Sequence, residues 1–317
     1  MIDIDKRIAE DLNRQGGSDA GYSFVKSYQA CPRRFALENI LGVTTDGFKW
    51  ALKQGVLIHA LLEMKYQQVA DADLQKYLKA MTEDMDNADE RQMMCENVTR
   101  MVGAWCDMFL QSDLENYENF RYEVPVKIPL LGGVYMTGIL DKIYDCKRTG
   151  ALIIGDYKST KLSVKQMDKQ TRQGDQFTLY THAVKQMFLN RRVMVVVDIM
   201  WGRQLKAGFI VDVGRMVPLM FTQDQLDQTV VGYTGLVLEI AQKVKSYHAG
   251  EFPLEFLFPR NGSFCGTFGC PYEEICRSKV TKRELVRHGM EFNLDNVERL
   301  CDFAKDIDIK HKEFKND

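Results

Sequence analysis

The sequence predicts an α/β fold, with a mixed central sheet flanked by helices, a helical lobe before it and a cysteine-cluster segment after it. Three observations predict it. Apolar residues recur at helical spacing through the first third of the chain, short alternating or continuous apolar runs bounded by turn residues fill the middle, and helical patterns separate and follow those runs. The 317 residues are 45% hydrophobic and 27% charged, enough apolar material for a core in one elaborated domain or two. Long disorder and collagen-like structure are excluded. The 42 Lys and Arg against 44 Asp and Glu leave a formal charge of -2, which excludes a uniformly basic binder but not a local basic groove.

Taken in order, residues 23–41 (SFVKSYQACPRRFALENIL) have helical spacing, with Ser23 as the expected cap and Pro32 as an interruption or restart. Residues 49–69 form a strong helical pattern. An acidic stretch from Asp71 to Glu96 and a helix over about 88–111 complete a lobe whose charges read as a solvated face. From 118 the pattern changes. RYEVPVKIPL, VYMTGILDKIYDC and ALIIGDYKST read as three strands, with turns at Leu131-Gly132-Gly133 and Lys147-Arg148-Thr149-Gly150. A helix is expected over about 169–190, two strands in RVMVVVDIMW and LKAGFIVDV, a helix over 222–249, and a last amphipathic helix over about 292–306. The expected organisation is an N-terminal helical segment (1–48), the helical lobe (49–117), the sheet-bearing core (118–250) and a cysteine segment with C-terminal helices (251–317).

No apolar run approaches the roughly 18 residues of a membrane span, and the start MIDIDKRIAEDLNRQGG lacks the apolar stretch of a signal peptide. The expectation is a cytoplasmic protein with no membrane partner. In a reducing compartment, clustered cysteines are metal or redox ligands more often than disulfides. Cys265, Cys270 and Cys276 lie in SFCGTFGCPYEEICRS, where Gly266, Gly269 and Pro271 favour a tight loop. Cys31, Cys95, Cys106, Cys146 and Cys301 are scattered, and Cys95 and Cys106 read as small apolar core residues. Three thiols still lack a fourth ligand.

The segment TGILDKIYDCKRTGALIIGDYKST carries the chemistry. Strand alternation puts Asp156 and Lys158 on one face with Tyr157 opposite, and two hairpin-linked strands can bring Asp141 beside Asp156. Paired carboxylates at a strand end suit Mg²⁺ or Mn²⁺, and a neighbouring lysine can hold or deprotonate an attacking water. An isolated D-x-K, however, is usually a surface ion pair. His59 and Glu63 share a helix face with Gly55 one turn earlier, and Gln176 and Tyr180 are likewise four apart. Alone, the histidine would be a satisfied core residue and the second pair ordinary members of an amphipathic helix.

The order of these residues is more specific than any one of them. Gly55 and His59, then Gly138 and Asp141, then Asp156 and Lys158, then Gln176 and Tyr180, resemble the motifs of the PD-(D/E)XK nuclease superfamily, in its RecB-type branch. Cys31 in ACPRRF and the C-terminal trio resemble its iron-sulfur members, such as the AddB nuclease domain and CRISPR-associated four-cysteine nucleases. The resemblance covers roughly 22–278. It implies a restriction-endonuclease-like core and a metal-dependent deoxyribonuclease acting in recombination, repair or replication, an exonuclease in preference to an endonuclease. It implies a Mg²⁺ or Mn²⁺ site made by His59, Asp141, Asp156 and the Tyr157 carbonyl, with Glu63 as an extra candidate. Lys158 would position or activate water, while Gln176 and Tyr180 would orient the lysine and the nucleic-acid backbone. Cys31, Cys265, Cys270 and Cys276 would hold a structural [4Fe-4S] cluster, with zinc as the alternative and Cys301 as a substitute ligand. The trio is spaced C-x4-C-x5-C, a departure from the C-x2-C-x5-C common in these nucleases.

The expected partners are DNA, single-stranded or with a free end, and recombination or replication proteins. Arg33, Arg34, Arg277 and Lys279, with Lys282 and Arg283, make a basic patch for phosphate, or equally a solvated basic helix. Tyr28, Phe35, Phe264 and Phe268 are candidates for stacking on bases. The alternative is a DNA-binding or scaffolding subunit of a larger complex, with the cysteines as a structural zinc or iron-sulfur module.

Overall fold

A computed structural model of the chain describes residues 3–12, 21–44, 49–205, 208–263, 265, 270–277, 291–292 and 300. Two compact units emerge: Met1–Gly16, Lys49–Pro125 and Ile139–Thr222 make the first, and Gly17–Phe48, Val126–Gly138 and Gln223–Asp317 the second.

In the first unit, α1 (Ile4–Leu12) and α4 (Lys49–Tyr66) accompany α5 (Asp71–Met81) and α6 (Ala88–Trp105). Asn87 caps α6, its side chain accepting from the amides of Asp89 and Glu90 at 2.9 and 3.3 Å, worth ~1 kcal/mol. The helix runs on through a π turn (Cys106–Leu110) into α7 (Gln111–Asn116), which delivers the chain to the sheet. Five strands stand in the order β2 (Tyr117–Pro129), β3 (Tyr135–Cys146), β4 (Leu152–Thr160), β5 (Val193–Leu205), β6 (Gly208–Arg215). The ends of β2 and β3 that flank the Leu131–Gly133 turn belong to the second unit. β3 pairs antiparallel with β4, β4 parallel with β5, and β5 antiparallel with β6. The parallel step requires a crossover, made by α8 (Val164–Arg172) and α9 (Gln176–Met187). A mixed sheet flanked by helices is therefore the observed fold.

Two sequence expectations are corrected at the element level. The single helix expected over 169–190 is two helices; the first starts earlier, because Ser163 and Gln166 form a reciprocal capping box, and the break falls at Gly174. Ser23 is not a cap, since α2 (Tyr22–Ala30) starts one residue before it with Gly21 at the N-cap.

The first unit's core lies where the apolar faces of α4, α5 and α6 meet Tyr157, Met200 and Val213 of the sheet. Inside it is a fully buried lysine. Lys142 donates to the hydroxyls of Tyr66 and Tyr157 at 2.9 and 2.8 Å and lies 3.7 Å from Asp198. Arg215 in turn clamps Asp113 at 2.6 and 2.9 Å and Asp198 at 2.6 and 3.0 Å. Burial lowers the Lys142 pKa to about 8, with Asp198 and Asp113 opposing it. Gly155, the Cα partner of Lys142, makes room for this stem, since a Cβ there would lie 2.3 Å from Lys142 Cε.

In the second unit, α2 and α3 (Pro32–Asn39) are separated at Cys31, with Pro32 restarting the helix as expected. The long helix α10 (Gln223–His248) supplies Glu239, which accepts from the Tyr28 hydroxyl at 2.6 Å. Tyr28, Phe35 and Phe258 pack ring to ring. β1 (Val43–Thr44) pairs with β7 (Glu291–Phe292). No helix among the described residues is long and apolar enough to cross a membrane.

Candidate active site and cysteine cluster

The β3–β4 register, Lys142 opposite Gly155, places Asp141 opposite Asp156 when carried one pair further. The Asp141 carboxylate accepts from the Tyr157 amide at 2.9 Å, which fixes it at the point where the two strands part. From α4, His59 reaches the same point. Its Nε2 donates to the Tyr157 carbonyl at 3.1 Å, and its Nδ1 lies 3.5 Å from Asp141 Oδ2. At Gly55, one turn earlier, α4 runs beside β4, but a Cβ there would meet the Ser159 hydroxyl at an ordinary 3.6 Å, so the approach does not itself require glycine.

Asp156 is only 4% exposed. Lys158 lies 3.0 and 2.7 Å from its two oxygens, yet Oδ2 accepts no aligned hydrogen bond. Burial pushes the Asp156 pKa up to about 6, Lys158 opposes the rise and Asp141 adds to it. For Lys158, burial works against the charge, but Asp156 and Asp141 outweigh it and hold the ammonium above its ordinary pKa. The ammonium also sits 5.6 Å from the Phe177 ring of α9. On the same helix, Gln176 hydrogen-bonds the Tyr180 hydroxyl, and burial raises that phenol in the field of Asp156, Lys158 and Asp141.

One residue was missed from sequence. Glu123 of β2 has donor atoms within 4.8 Å of those of His59 and Asp141, a trio that could hold a metal ion. Its φ of 48° is left-handed, inside a strand that otherwise reads as simple alternation. Such a residue re-aims its side chain, which a period-two pattern cannot anticipate. The one sequence signal is Pro125 two residues on, which marks an irregular strand. Glu63, the extra candidate from sequence, is instead clamped by Arg7 at 2.9 and 3.1 Å.

The donor set fits a hard divalent cation. Carboxylates and a carbonyl suit Mg²⁺ and Mn²⁺, and imidazole extends the choice toward later metals. Asp156 Oδ2 is a buried acceptor without an aligned donor, the condition in which a carboxylate serves a cation.

The second unit holds the other candidate site. Cys31 is buried at the start of α3, Cys265 and Cys270 are buried, and Cys276 is half-buried on the short helix Glu273–Arg277. Cys265, Cys270 and Cys276 share an apolar nest with Leu37, Val43, Tyr272 and Ile275, and Cys31 contributes to the field at Cys270 and Cys276. Burial pushes the Cys276 thiol up to about 11 and also raises Cys270, so thiolates here need a metal to hold them. The donors are soft sulfur throughout, which suits iron-sulfur or zinc.

The surrounding basic and aromatic residues do not make the surface expected of them. Arg33 is 5% exposed, donates to the Phe258 carbonyl at 2.8 Å and lies 3.6 Å from Glu255. It braces the fold and does not face phosphate. Arg34 is paired with Glu38 at 2.7 Å. Tyr28 and Phe35 are buried among other rings and cannot stack on bases. The side chain of Arg277, together with Lys279, Lys282, Arg283, Phe264, Phe268, Cys301 and all of the helix expected over 292–306 but residues 292 and 300, lies outside the described residues.

A family model for the PD-(D/E)XK nuclease superfamily matches residues 21–277, more than half of the chain and every residue of the site above. The protein is a member of that superfamily. Among curated proteins no individual relative matches. Membership in the PD-(D/E)XK superfamily implies metal-dependent nuclease activity, with a divalent cation at the site and DNA as substrate. It carries with it the mixed five-stranded sheet flanked by helices.

Proposed function

We propose that this PD-(D/E)XK protein is a Mg²⁺- or Mn²⁺-dependent deoxyribonuclease of the RecB type, acting as an exonuclease on DNA with a single-stranded or free end in recombination, repair or replication. The observation that carries the reading is the convergence of His59, Asp141 and the Tyr157 backbone beside a buried Asp156–Lys158 pair.

His59, Asp141, Asp156 and the Tyr157 carbonyl would hold the cation, with Glu123 added to the set expected from sequence. The cation supplies charge to the phosphate oxygens and to the attacking water. Lys158 carries its charge at the face where the phosphate would lie, and its raised pKa makes it a cationic clamp on phosphate and water until Asp156 is drawn away from it. Tyr180, protonated and tied to Gln176, orients the lysine and the adjoining backbone phosphate. Asp156→Ala and Lys158→Ala should each lower DNA hydrolysis by at least about a thousandfold with unchanged circular dichroism. Full activity in either purified variant would refute the mechanism.

Cys31, Cys265, Cys270 and Cys276 are assigned to a structural [4Fe-4S] cluster. Their support is the shared buried neighbourhood and the all-sulfur donor set. Stoichiometric zinc in a colourless protein would replace that assignment with a zinc module.

A further inference from the structure

A cavity of about 680 Å³ opens in the first unit beside the candidate active site. Its walls come from α4, α6, the end of β4 and the β5–β6 hairpin, and three features distinguish it. Two aromatic side chains, Trp50 and Phe209, line it. Asn97 lines it too and is only 5% exposed, a polar amide in a largely apolar wall. Exposed Lys161 and Arg203 stand at its rim.

Each feature has a cause in the local chain. Met93, Asn97 and Met101 are four apart on α6 and form one face toward the cavity. Gln54 of α4 donates to Met101 Sδ at 3.6 Å, closing the floor. Gly202 lets the Phe209 ring lie against β5, since a Cβ there would fall 2.4 Å from the ring. Trp201 donates to the Lys161 carbonyl at 2.9 Å and holds the chain at the rim.

We infer that this cavity receives an unstacked nucleobase of a single strand whose neighbouring phosphate lies at the candidate metal site. The inference rests on the nuclease reading for the position of that phosphate, but not for the binding of the base. Ser159, in the wall, follows Tyr157 by two strand residues, on the order of 7 Å. That is the scale of one nucleotide step. Aromatic faces stack on any base, an amide in the wall offers a donor and an acceptor to a base edge, and rim cations meet the backbone. A hydrocarbon occupant would offer the Asn97 amide no hydrogen bond. A paired base in a duplex cannot enter, so the cavity favours single strands.

The test is fluorescence anisotropy in EDTA, where hydrolysis is off. The probes are a labelled single-stranded oligonucleotide, its duplex form, and a strand of the same length built of abasic sugars. The wild-type protein should bind the normal strand more tightly than the abasic one. Asn97→Ala and Trp50→Leu should each weaken binding of the normal strand by roughly ten-fold and leave the abasic strand unchanged. Lys161→Ala should weaken both strands alike. Equal wild-type affinity for normal and abasic strands, or unchanged binding of the normal strand by Asn97→Ala, would overturn the inference. Unchanged circular dichroism and unchanged affinity for the abasic strand show that the Asn97→Ala protein is folded. A parallel assay with Mn²⁺ separates the two claims: a wild-type protein that binds bases selectively but cleaves nothing refutes the nuclease reading and leaves the base pocket standing.

Discussion

Asp156 combines three properties that rarely coexist in a structural ion pair. It is almost completely buried, its Oδ2 lacks an aligned donor, and its pKa is raised by burial and by Asp141 despite the adjacent Lys158. A raised carboxylate in the folded state means that the metal-free fold holds this proton more tightly than the unfolded chain. Its contribution to metal-free stability is therefore complete below the ordinary carboxylate range and is lost as pH rises through about 6. A divalent cation held by Asp156 would reverse the balance, because it would bind the ionised form. The rise in melting temperature on adding Mn²⁺ should accordingly be larger at about pH 8 than at about pH 5, measured by differential scanning fluorimetry. The same rise at both would mean that Asp156 is not a ligand. Glu123→Gln, which keeps size and removes charge, should weaken Mn²⁺ binding in isothermal titration by about ten-fold, whereas Glu63→Gln should cost stability through Arg7 and leave metal affinity intact. Asp156, Lys158 and His59 were legible because each recurs at a fixed offset within one strand or helix. Glu123 was not, because its role depends on a single left-handed φ.

At the scale of elements, the D-x-K strand is held from behind by a buried charge network. Lys142 bonds the Tyr157 hydroxyl while the Tyr157 amide and carbonyl bond Asp141 and His59. Tyr157 thus turns one way into the core and presents its backbone the other way to the site. Gly155→Ala should drive Lys142 and Tyr144 out of place and lower both melting temperature and activity, since the Cβ would lie 2.3 Å from one and 2.8 Å from the other. Removing one member of a buried ionic network leaves its partners uncompensated, so Asp198→Ala should destabilise by about 3–5 kcal/mol in urea unfolding. Asp198→Ala with unchanged stability would show that Arg215 and Lys142 reach water. The mixed sheet and the long helices followed from apolar runs and periodicity, because those segments bury one face or, as in β4, both; the order of the strands in the sheet did not. The α8–α9 break did not, because Gly174 and a capping box interrupt a pattern that otherwise runs on. Lys142 went unread: it shares a strand face with Leu140 and Tyr144, but only the tyrosines gathered from α4, β3 and β4 show what holds a lysine there.

For the whole molecule, the two units hold chemically opposite candidate sites, one of oxygen and nitrogen donors and the other of sulfur. Cys31 precedes Cys265 by 234 residues, so a metal on the four thiols would close a long loop and stabilise the second unit by restricting its unfolded chain. Protein purified without oxygen should be brown and hold iron, and Cys265→Ser should lose the colour and lower the melting temperature. A colourless wild-type protein free of iron would remove the cluster from the account. The trio's spacing made these cysteines visible in sequence, but the fate of the arginines beside Cys31 was not, because Arg33 is spent inside the fold on Phe258 and Glu255.

The central claim is hydrolysis of DNA by the His59, Asp141, Asp156 and Lys158 site. It is tested most directly by incubating end-labelled single-stranded and duplex DNA with the purified protein and Mn²⁺ or Mg²⁺, beside Lys158→Ala. The wild-type protein should progressively shorten the labelled strand and the variant should leave it intact. Undegraded DNA with the metal-loaded wild-type protein, or equal degradation by Lys158→Ala, would contradict it.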